Sequence, residues 1–207
     1  MERHAEDIKE DEGGLVEVDS LLTLEYYLLQ KFSPSGVYIV PRYEDNVNLK
    51  EIVWDGIIFV KAGPYKDGKF WFSIYFTADY PKTVPRVQFH SLVFHPLINP
   101  QDGLLDLKVV MNTLKNTDSL VITIAGYIKK VFYCQDYWGI TSSYNSKAGE
   151  VFMKSTEGFI KEARVSVEDA QKSLYKARDN NSLRFTKPIP EHSTILNKAL
   201  EINKENV

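Results

Sequence analysis

The sequence predicts an α+β domain, in which one N-terminal helix precedes a four-stranded antiparallel meander and all later elements are helices. Between residues 37 and 89, short runs alternate in polarity and are separated by turn signals, as strands are. On both sides of this region, apolar residues recur every three to four positions, which is typical of helices. The 207 residues, 43% of them hydrophobic, are enough to bury a core without disulfides or a structural metal.

The first helix is expected from Asp19 to Phe32, with Asp19 or Ser20 as its N-cap. Its apolar stripe follows the spacing i, i+3, i+7 and i+11, at Leu21, Leu24, Leu28 and Phe32. The segment Ser33-Pro34-Ser35-Gly36 ends the helix, because proline and glycine interrupt helical backbone.

Four strands are expected next, over residues 37–40, 52–60, 70–77 and the last residues of the proline-rich segment 80–89. The pair Asp67-Gly68 is a hairpin signal between the second and third strands. The third strand alternates without interruption and places four apolar residues on one face: Phe70, Phe72, Ile74 and Phe76. We expect another layer of the structure to cover this face.

Helices account for most of the remaining chain. A second helix is expected after a cap at residues 116–118, with Leu120, Ile124, Ile128 and Val131 on one face. A third is expected from Ser146, and Ser166 is expected to begin a fourth, which ends near residue 179. These patterns divide the chain into an acidic flexible leader (1–14), the domain (15–179) and a tail (180–207), which is extended and then helical from Ser193.

Charge and composition exclude several classes of function. A net charge of −3 does not supply the concentrated positive field that nucleic acid or anionic lipid requires, so neither is expected as the main ligand. No apolar run approaches the roughly 20 residues of a membrane-spanning helix, and residues 1–12 are too acidic for a targeting signal. The single cysteine, Cys134, excludes intramolecular disulfides and cysteine-cluster zinc sites. We therefore expect a cytoplasmic protein.

Several short motifs occur in a recognisable order: Tyr80-Pro81, Val84-Pro85, Phe89, His95-Pro96 and Gly103-Leu104-Leu105-Asp106-Leu107. In this order they resemble the ubiquitin-conjugating enzyme fold, over about residues 15–175. Four further blocks resemble the fused toes, or AKT-interacting protein, family of inactive variants: Gly36-Val37-Tyr38, Gly56-Ile57-Ile58-Phe59, Tyr65-x-Asp67-Gly68 and Val93-Phe94-His95-Pro96-Leu97.

The resemblance implies a degenerate catalytic site at His95, Pro96, Leu97 and Asp106. An active conjugating enzyme has His-Pro-Asn followed by a cysteine within Gly-x-Ile-Cys-Leu. Here Leu97 stands at the asparagine position and Asp106 at the cysteine position. Asn99 restores an amide only if the alignment slips, and even then no cysteine follows. We therefore expect no catalytic residue, and we expect Cys134 to be an inert core thiol.

Neither a cofactor nor a metal ion is expected. The chain contains no glycine-rich phosphate loop. Four residues near the degenerate site could be combined into a metal site: His90, His95, Asp102 and Asp106. The odd separation of the two histidines places them on opposite faces of a strand, however, so a shared ion is not expected.

The resemblance also implies the type of partner. In the fused toes family these are coiled-coil Hook proteins and a companion scaffold, which couple vesicles to microtubule transport. Ubiquitin, bound without covalent chemistry beside an active conjugating enzyme, is one alternative, and a structural role in another large assembly is a second. The partner surface is expected after the second helix and in the tail, at Tyr137, Trp138, Phe185, Pro188, Ile189, Pro190, Ile195 and Leu196. The competing interpretation is a tail that packs on its own domain.

Overall fold

A computed structural model describes residues 20–42, 51–133, 136, 144–176, 183–187 and 189–205. Helix α1 spans residues 20–32, and strands β1 (Val37–Pro41), β2 (Glu51–Phe59), β3 (Lys69–Thr77) and β4 (Arg86–Phe89) follow. A 3-10 turn (Lys108–Val110) leads into the short helix α2 (Met111–Leu114). The longer helices are α3 (Leu120–Tyr133), α4 (Ser146–Lys154), α5 (Thr156–Ser173) and α6 (Pro190–Glu205). The predicted α+β class is confirmed.

The four strands form one antiparallel sheet in sequence order, β1-β2-β3-β4. Phe72 at the centre of β3 lies opposite Gly56 on β2 and Phe89 on β4. The turn between β2 and β3 contains Asp67 in the left-handed region, with φ of +68°. Such a φ is uncommon outside glycine but tolerated by aspartate, which agrees with the turn predicted at Asp67-Gly68.

One face of the sheet packs against α3 and α5, and the main core lies between these layers. Phe70, Phe72, Ile74 and Phe76 are all fully buried on this face, as their alternation predicted. The ring of Phe70 stacks on Phe132 of α3, with centroids 5.0 Å apart and an interplanar angle of 12°. The aromatic face of β3 therefore joins the sheet to the helical layer.

The predicted apolar stripe of α1 is wrong at Leu24 and Phe32, although Leu21 packs against the main core. Leu22, Glu25 and Leu29 form the buried face, whereas Leu24 is 53% exposed and Phe32 is 63% exposed. A glutamate faces inward because the layer beneath α1 presents hydrogen-bond donors at Tyr80 and at the start of α3. A search for apolar spacing alone overlooks a buried face of this kind.

The caps of the later helices also differ from the sequence prediction. Ser119 caps α3, since its Oγ accepts a hydrogen bond from the backbone N–H of Ile122 at 3.3 Å. Ser155 separates α4 from α5 and caps α5 by accepting from the N–H of Gly158 at 3.0 Å. Ser166, predicted to begin a helix, lies inside α5, and its Oγ accepts from the N–H of Phe94 at 2.8 Å. All three serines thus accept hydrogen bonds from backbone N–H groups, two of them in the first turn of a helix and one in the segment before His95.

Part of the tail packs on the outer face of the sheet, opposite the main core. Leu183 and Phe185 join a small apolar cluster with Ile57, Trp71 and Leu174. The ring centroids of Phe185 and Trp71 are 5.1 Å apart. Helix α6 then begins at Pro190, three residues before the predicted start. Within the described parts of the chain, we find no helix with the length and apolar character needed to cross a bilayer.

Candidate functional site

His95 is buried inside the domain, and both of its ring nitrogens form hydrogen bonds. Its Nε2 donates to the carbonyl oxygen of Val131 in α3 at 2.9 Å, and its Nδ1 accepts from the backbone N–H of Leu97 at 3.0 Å. The side chain is completely buried, and this burial lowers the pKa of His95 to about 3. A neutral imidazole with both nitrogens engaged holds the His-Pro segment against α3 and has no free atom with which to act as a general base.

This histidine should make the domain sensitive to acid. Unfolded histidine takes up a proton near pH 6.5, whereas folded His95 does so only near pH 3, so stability is lost as the pH falls through that window. We expect a loss of about 2–3 kcal/mol between pH 7 and pH 4.5 from this group. Denaturant unfolding across this range should show a flatter pH dependence for His95→Gln. The surface control His192→Gln should retain the slope of the wild type, and equal slopes in all three proteins would contradict this assignment.

The segment after His95 runs beside the segment that carries Asp106. The backbone N–H of Asp106 donates to the carbonyl of Leu97 at 2.8 Å, and Ile98 and Leu105 form an antiparallel bridge next to it. Leu97 is fully buried, so this position supplies packing rather than an amide. Leu97 and Asp106, two of the residues that the sequence analysis assigned to the degenerate site, are therefore neighbours.

Asp106 is itself buried and has a structural hydrogen bond. Its Oδ1 accepts from the N–H of Lys108 at 2.9 Å, at the start of the 3-10 turn. Its backbone carbonyl accepts from the hydroxyl of Tyr127 in α3 at 2.8 Å. The amide oxygen of Asn99 is engaged in a similar local way, since it accepts from the N–H of Gln101 at 2.9 Å. Both side chains stabilise turns.

Gly103 allows this loop to lie against the sheet. Its φ is +76°, and a Cβ at this position would lie 2.0 Å from the carbonyl oxygen of Phe89. Because the two segments lie this close, the N–H of Phe89 donates a hydrogen bond of 2.8 Å to the carbonyl of Gly103. Only glycine fits a position that combines this φ with such contact.

On the outer face of the sheet, the structure brings together Asp55, Ser73 and His90, which lie far apart in sequence. Ser73 Oγ donates to the buried Asp55 at 3.0 Å and lies 2.7 Å from His90 Nε2. Arg42 binds the same carboxylate through Nη2 at 2.6 Å and Nε at 3.1 Å. Because the serine proton points to the aspartate, His90 donates to Ser73 and does not act as its base. The cluster is a charge-paired network and lacks the geometry of a nucleophilic triad.

Of the predicted partner residues, Phe185 packs on the sheet, whereas Ile189, Pro190, Ile195 and Leu196 are exposed. Tyr137, Trp138 and Pro188 lie outside the described residues, as does Cys134. Within the described ranges, no three His, Cys, Asp or Glu side chains are grouped so as to hold a metal ion. The partner assignment therefore stays a prediction at the exposed positions.

Comparison with known proteins identifies the family. Residues 21–167 match the ubiquitin-conjugating enzyme family. The chain is 35% identical to Protein crossbronx homolog of Anopheles gambiae over 155 residues, which are 73% of this chain and 66% of that protein. It is 32% identical to AKT-interacting protein of Rattus norvegicus over 173 residues, covering 79% of this chain and 56% of that protein. The chain thus spans little more than half of the latter relative.

These matches confirm the fold and the family that the motifs indicated. The N-terminal helix, the four-stranded meander and the C-terminal helices are the elements of the ubiquitin-conjugating enzyme fold. The chain belongs to the ubiquitin-conjugating enzyme family, as a variant of the group that contains AKT-interacting protein, the fused toes group.

Proposed function

We propose that this protein is a non-catalytic adaptor, in which the ubiquitin-conjugating fold serves as a scaffold for protein binding. The observation that carries the proposal is the state of Asp106, a buried carboxylate bonded to the N–H of Lys108. The motif resemblance assigns this residue to the position of the catalytic cysteine. Conjugation requires a thiolate that accepts ubiquitin as a thioester. A carboxylate at this position offers no thiol for that step.

The residues around Asp106 support the same conclusion. The transfer step needs a hydrogen-bond donor near the reacting carbonyl, and the buried Leu97 carries none in its side chain. His95 is neutral and fully engaged by Val131 and by the backbone of Leu97. His95, Leu97 and Asp106 are thus engaged in packing or in hydrogen bonds within the domain.

We expect the purified protein to form no thiol-sensitive adduct with activating enzyme, ATP and ubiquitin. Asp106→Cys should not restore transfer to lysine, because Leu97 still leaves the oxyanion without its amide donor. The assay is non-reducing gel electrophoresis beside an active conjugating enzyme as positive control. A reducible band one ubiquitin heavier in the wild-type lane would overturn the non-catalytic proposal.

For the partner, we propose a coiled-coil protein of the Hook type with its companion scaffold. This proposal rests on membership of the fused toes group and on the exposure of α6. Ile195 and Leu196 are adjacent, exposed apolar residues on this helix, and such residues fit a groove or ridge of a partner helix. The protein would then be cytoplasmic and would reach vesicles and microtubules through its partners. Recovery of ubiquitin in place of a coiled coil would favour the alternative, a ubiquitin-binding variant.

A further inference from the structure

A depression of about 270 Å³ lies between the last turns of α1 and strand β1. Among the described residues β1 pairs only with β2, so its other edge carries no strand. We call the depression the α1–β1 groove. The loop 33–36 closes one end, and two elements form the walls: Tyr26, Leu29 and Gln30 of α1, and Val37, Tyr38 and Ile39 of β1. An extended peptide can add as a further strand at a sheet edge of this kind.

The hydrogen bonds between β1 and β2 show which backbone groups point to the outer edge. The N–H of Arg42 donates to the carbonyl of Val53 at 2.9 Å, and the N–H of Phe59 donates to the carbonyl of Gly36 at 2.8 Å. Alternate residues of an antiparallel pair bond to the partner strand. In this register the even-numbered residues of β1 therefore face β2, and the odd-numbered residues face the outer edge.

The three odd-numbered residues differ in what they can offer to a ligand. Val37 is engaged, since its N–H donates to the carbonyl of Pro34 at 3.1 Å and its carbonyl accepts from Ser33 Oγ at 3.0 Å. Pro41 has a carbonyl but no N–H. Within the described part of the chain, neither the N–H nor the carbonyl of Ile39 forms a hydrogen bond. A strand in the groove can thus form two main-chain bonds with Ile39 and one with Pro41.

The side chains that line the groove favour an apolar residue opposite Ile39. Directly opposed residues of neighbouring strands place their side chains on the same face of the sheet. The side chain of Ile39 points into the main core, where it clusters with Leu29 of α1. A residue paired with Ile39 therefore directs its side chain toward Leu29 and Tyr26.

The closed end of the groove favours a carboxylate. Lys129 Nζ of α3 donates to Ser35 Oγ at 3.2 Å, and Lys31 follows Gln30 in the last turn of α1. Among the described residues neither lysine forms an ion pair, and no acidic side chain lines the groove. An acidic residue opposite Val37 lies beside this loop and complements the charge there.

We propose that the α1–β1 groove binds an extended acidic segment of a partner protein, which adds to β1 as an antiparallel strand. An apolar residue of the segment pairs with Ile39, and a glutamate or aspartate two positions later lies opposite Val37, near Lys129. A second copy of β1 does not fit this description, because residues 37–41 contain no acidic side chain. The groove contains no residue of α6, so this site and the proposed α6 surface can fail independently.

The test uses the full chain and four fluorescein-labelled pools of nonapeptides. In the parent pool, position 4 is phenylalanine, leucine or isoleucine and position 6 is glutamate, with serine or threonine elsewhere. A second pool carries lysine at position 6. The other two carry an N-methyl group on the backbone nitrogen of position 4 or of position 5. In an antiparallel pair the N–H of position 4 faces Ile39, whereas that of position 5 points away from β1.

We expect saturable anisotropy with the parent pool, weakened by added salt and by lysine at position 6. The Kd should rise at least about tenfold with N-methylation at position 4 and change less than about twofold with N-methylation at position 5. Hydrogen exchange at the N–H of Ile39, followed by NMR of ¹⁵N-labelled protein, should slow at saturation because this group becomes bonded.

Protein variants locate the site. Lys129→Gln should weaken binding of the parent pool about threefold to tenfold, and its matched control Lys172→Gln should bind as the wild type does. Gln30→Glu places a negative charge in the wall of the groove and should also weaken binding, whereas Gln101→Glu, in an exposed turn, should not.

A separate variant keeps this test distinct from the proposed function. The double variant Ile195→Asp with Leu196→Asp should bind the parent pool as the wild type does, because α6 does not line the groove. Loss of peptide binding in this variant would assign the peptide to α6 and overturn the proposal.

Three further outcomes would overturn it. The first is no saturable binding with the parent pool, or equal binding with the two N-methylated pools. The second is unchanged hydrogen exchange at Ile39 when the peptide is saturating. The third is slower exchange at Ile39 as the protein concentration rises without peptide, which would assign the edge of β1 to a second copy of the chain.

Discussion

Replacement of Phe76 by alanine is expected to lower the free energy of unfolding by about 3–5 kcal/mol, because it leaves a cavity in a closely packed aromatic cluster. Phe76 is fully buried on β3. Its ring lies 5.1 Å from that of Trp54 and 5.1 Å from that of Tyr80, in tilted and edge-on geometries that stabilise aromatic pairs. In a domain of this size, the thermal midpoint should fall by on the order of 10 °C.

The matched control for this change is Phe32→Ala. Phe32 is an aromatic residue at the end of α1 with most of its surface exposed, so its removal should alter stability by less than about 0.5 kcal/mol. Urea unfolding followed by tryptophan fluorescence measures both variants. Equal effects of the two substitutions would show that the core does not lie on this face of β3.

The second large effect is expected for Glu25→Ala. Glu25 Oε1 accepts from the Tyr80 hydroxyl at 2.6 Å and from the N–H of Leu120 at 3.1 Å, and Oε2 accepts from Ser119 Oγ. Burial, together with the hydrogen bond to Glu25, raises the pKa of Tyr80, which remains a donor at any working pH. Removing the carboxylate leaves three buried donors unsatisfied, at an expected cost of at least about 3 kcal/mol.

A double-mutant cycle with Tyr80→Phe tests the network rather than the single residue. Tyr80→Phe should cost less in the Glu25→Ala background than in the wild type, because its hydroxyl has already lost its partner. Glu150→Ala serves as control, since this glutamate is exposed and forms only a surface ion pair with Lys154. Additive effects of the two core substitutions would contradict the coupling.

The buried face of β3 was predicted from the sequence, whereas the burial of Glu25 on α1 was not. The alternation of β3 identified its buried face, because every second residue is large and apolar. The inner face of α1 could not be found in this way, since Glu25 is buried for its hydrogen bonds to residues that lie 55 and 94 positions later. Within α1 itself, only the helical spacing of Leu22 and Leu29 around Glu25 indicates which face of the helix is buried.

The sequence indicated that the segments of Leu97 and Asp106 lie together, but not which partners their neighbours bind. Motif order placed His95, Leu97 and Asp106 together, and the structure shows Leu97 and Asp106 bonded through their backbones. The partner of His95, the carbonyl of Val131, lies 36 residues away and depends on how α3 packs. The hydroxyl of Ser91, which has no hydrogen-bond partner among the described residues, likewise owes its surroundings to tertiary packing. Short-range patterns carry no information about contacts of this kind.

The most direct test of the adaptor account compares two variants of the full chain in capture from the native cell. Asp106→Asn keeps an oxygen for the N–H of Lys108 and alters only the position that the motifs assign to the degenerate site. The double variant Ile195→Asp with Leu196→Asp alters only the exposed face of α6. Quantitative mass spectrometry of the recovered coiled-coil protein is the measurement. The account predicts full recovery with Asp106→Asn and loss with the α6 variant, at equal thermal midpoints; loss with Asp106→Asn and full recovery with the α6 variant would contradict it.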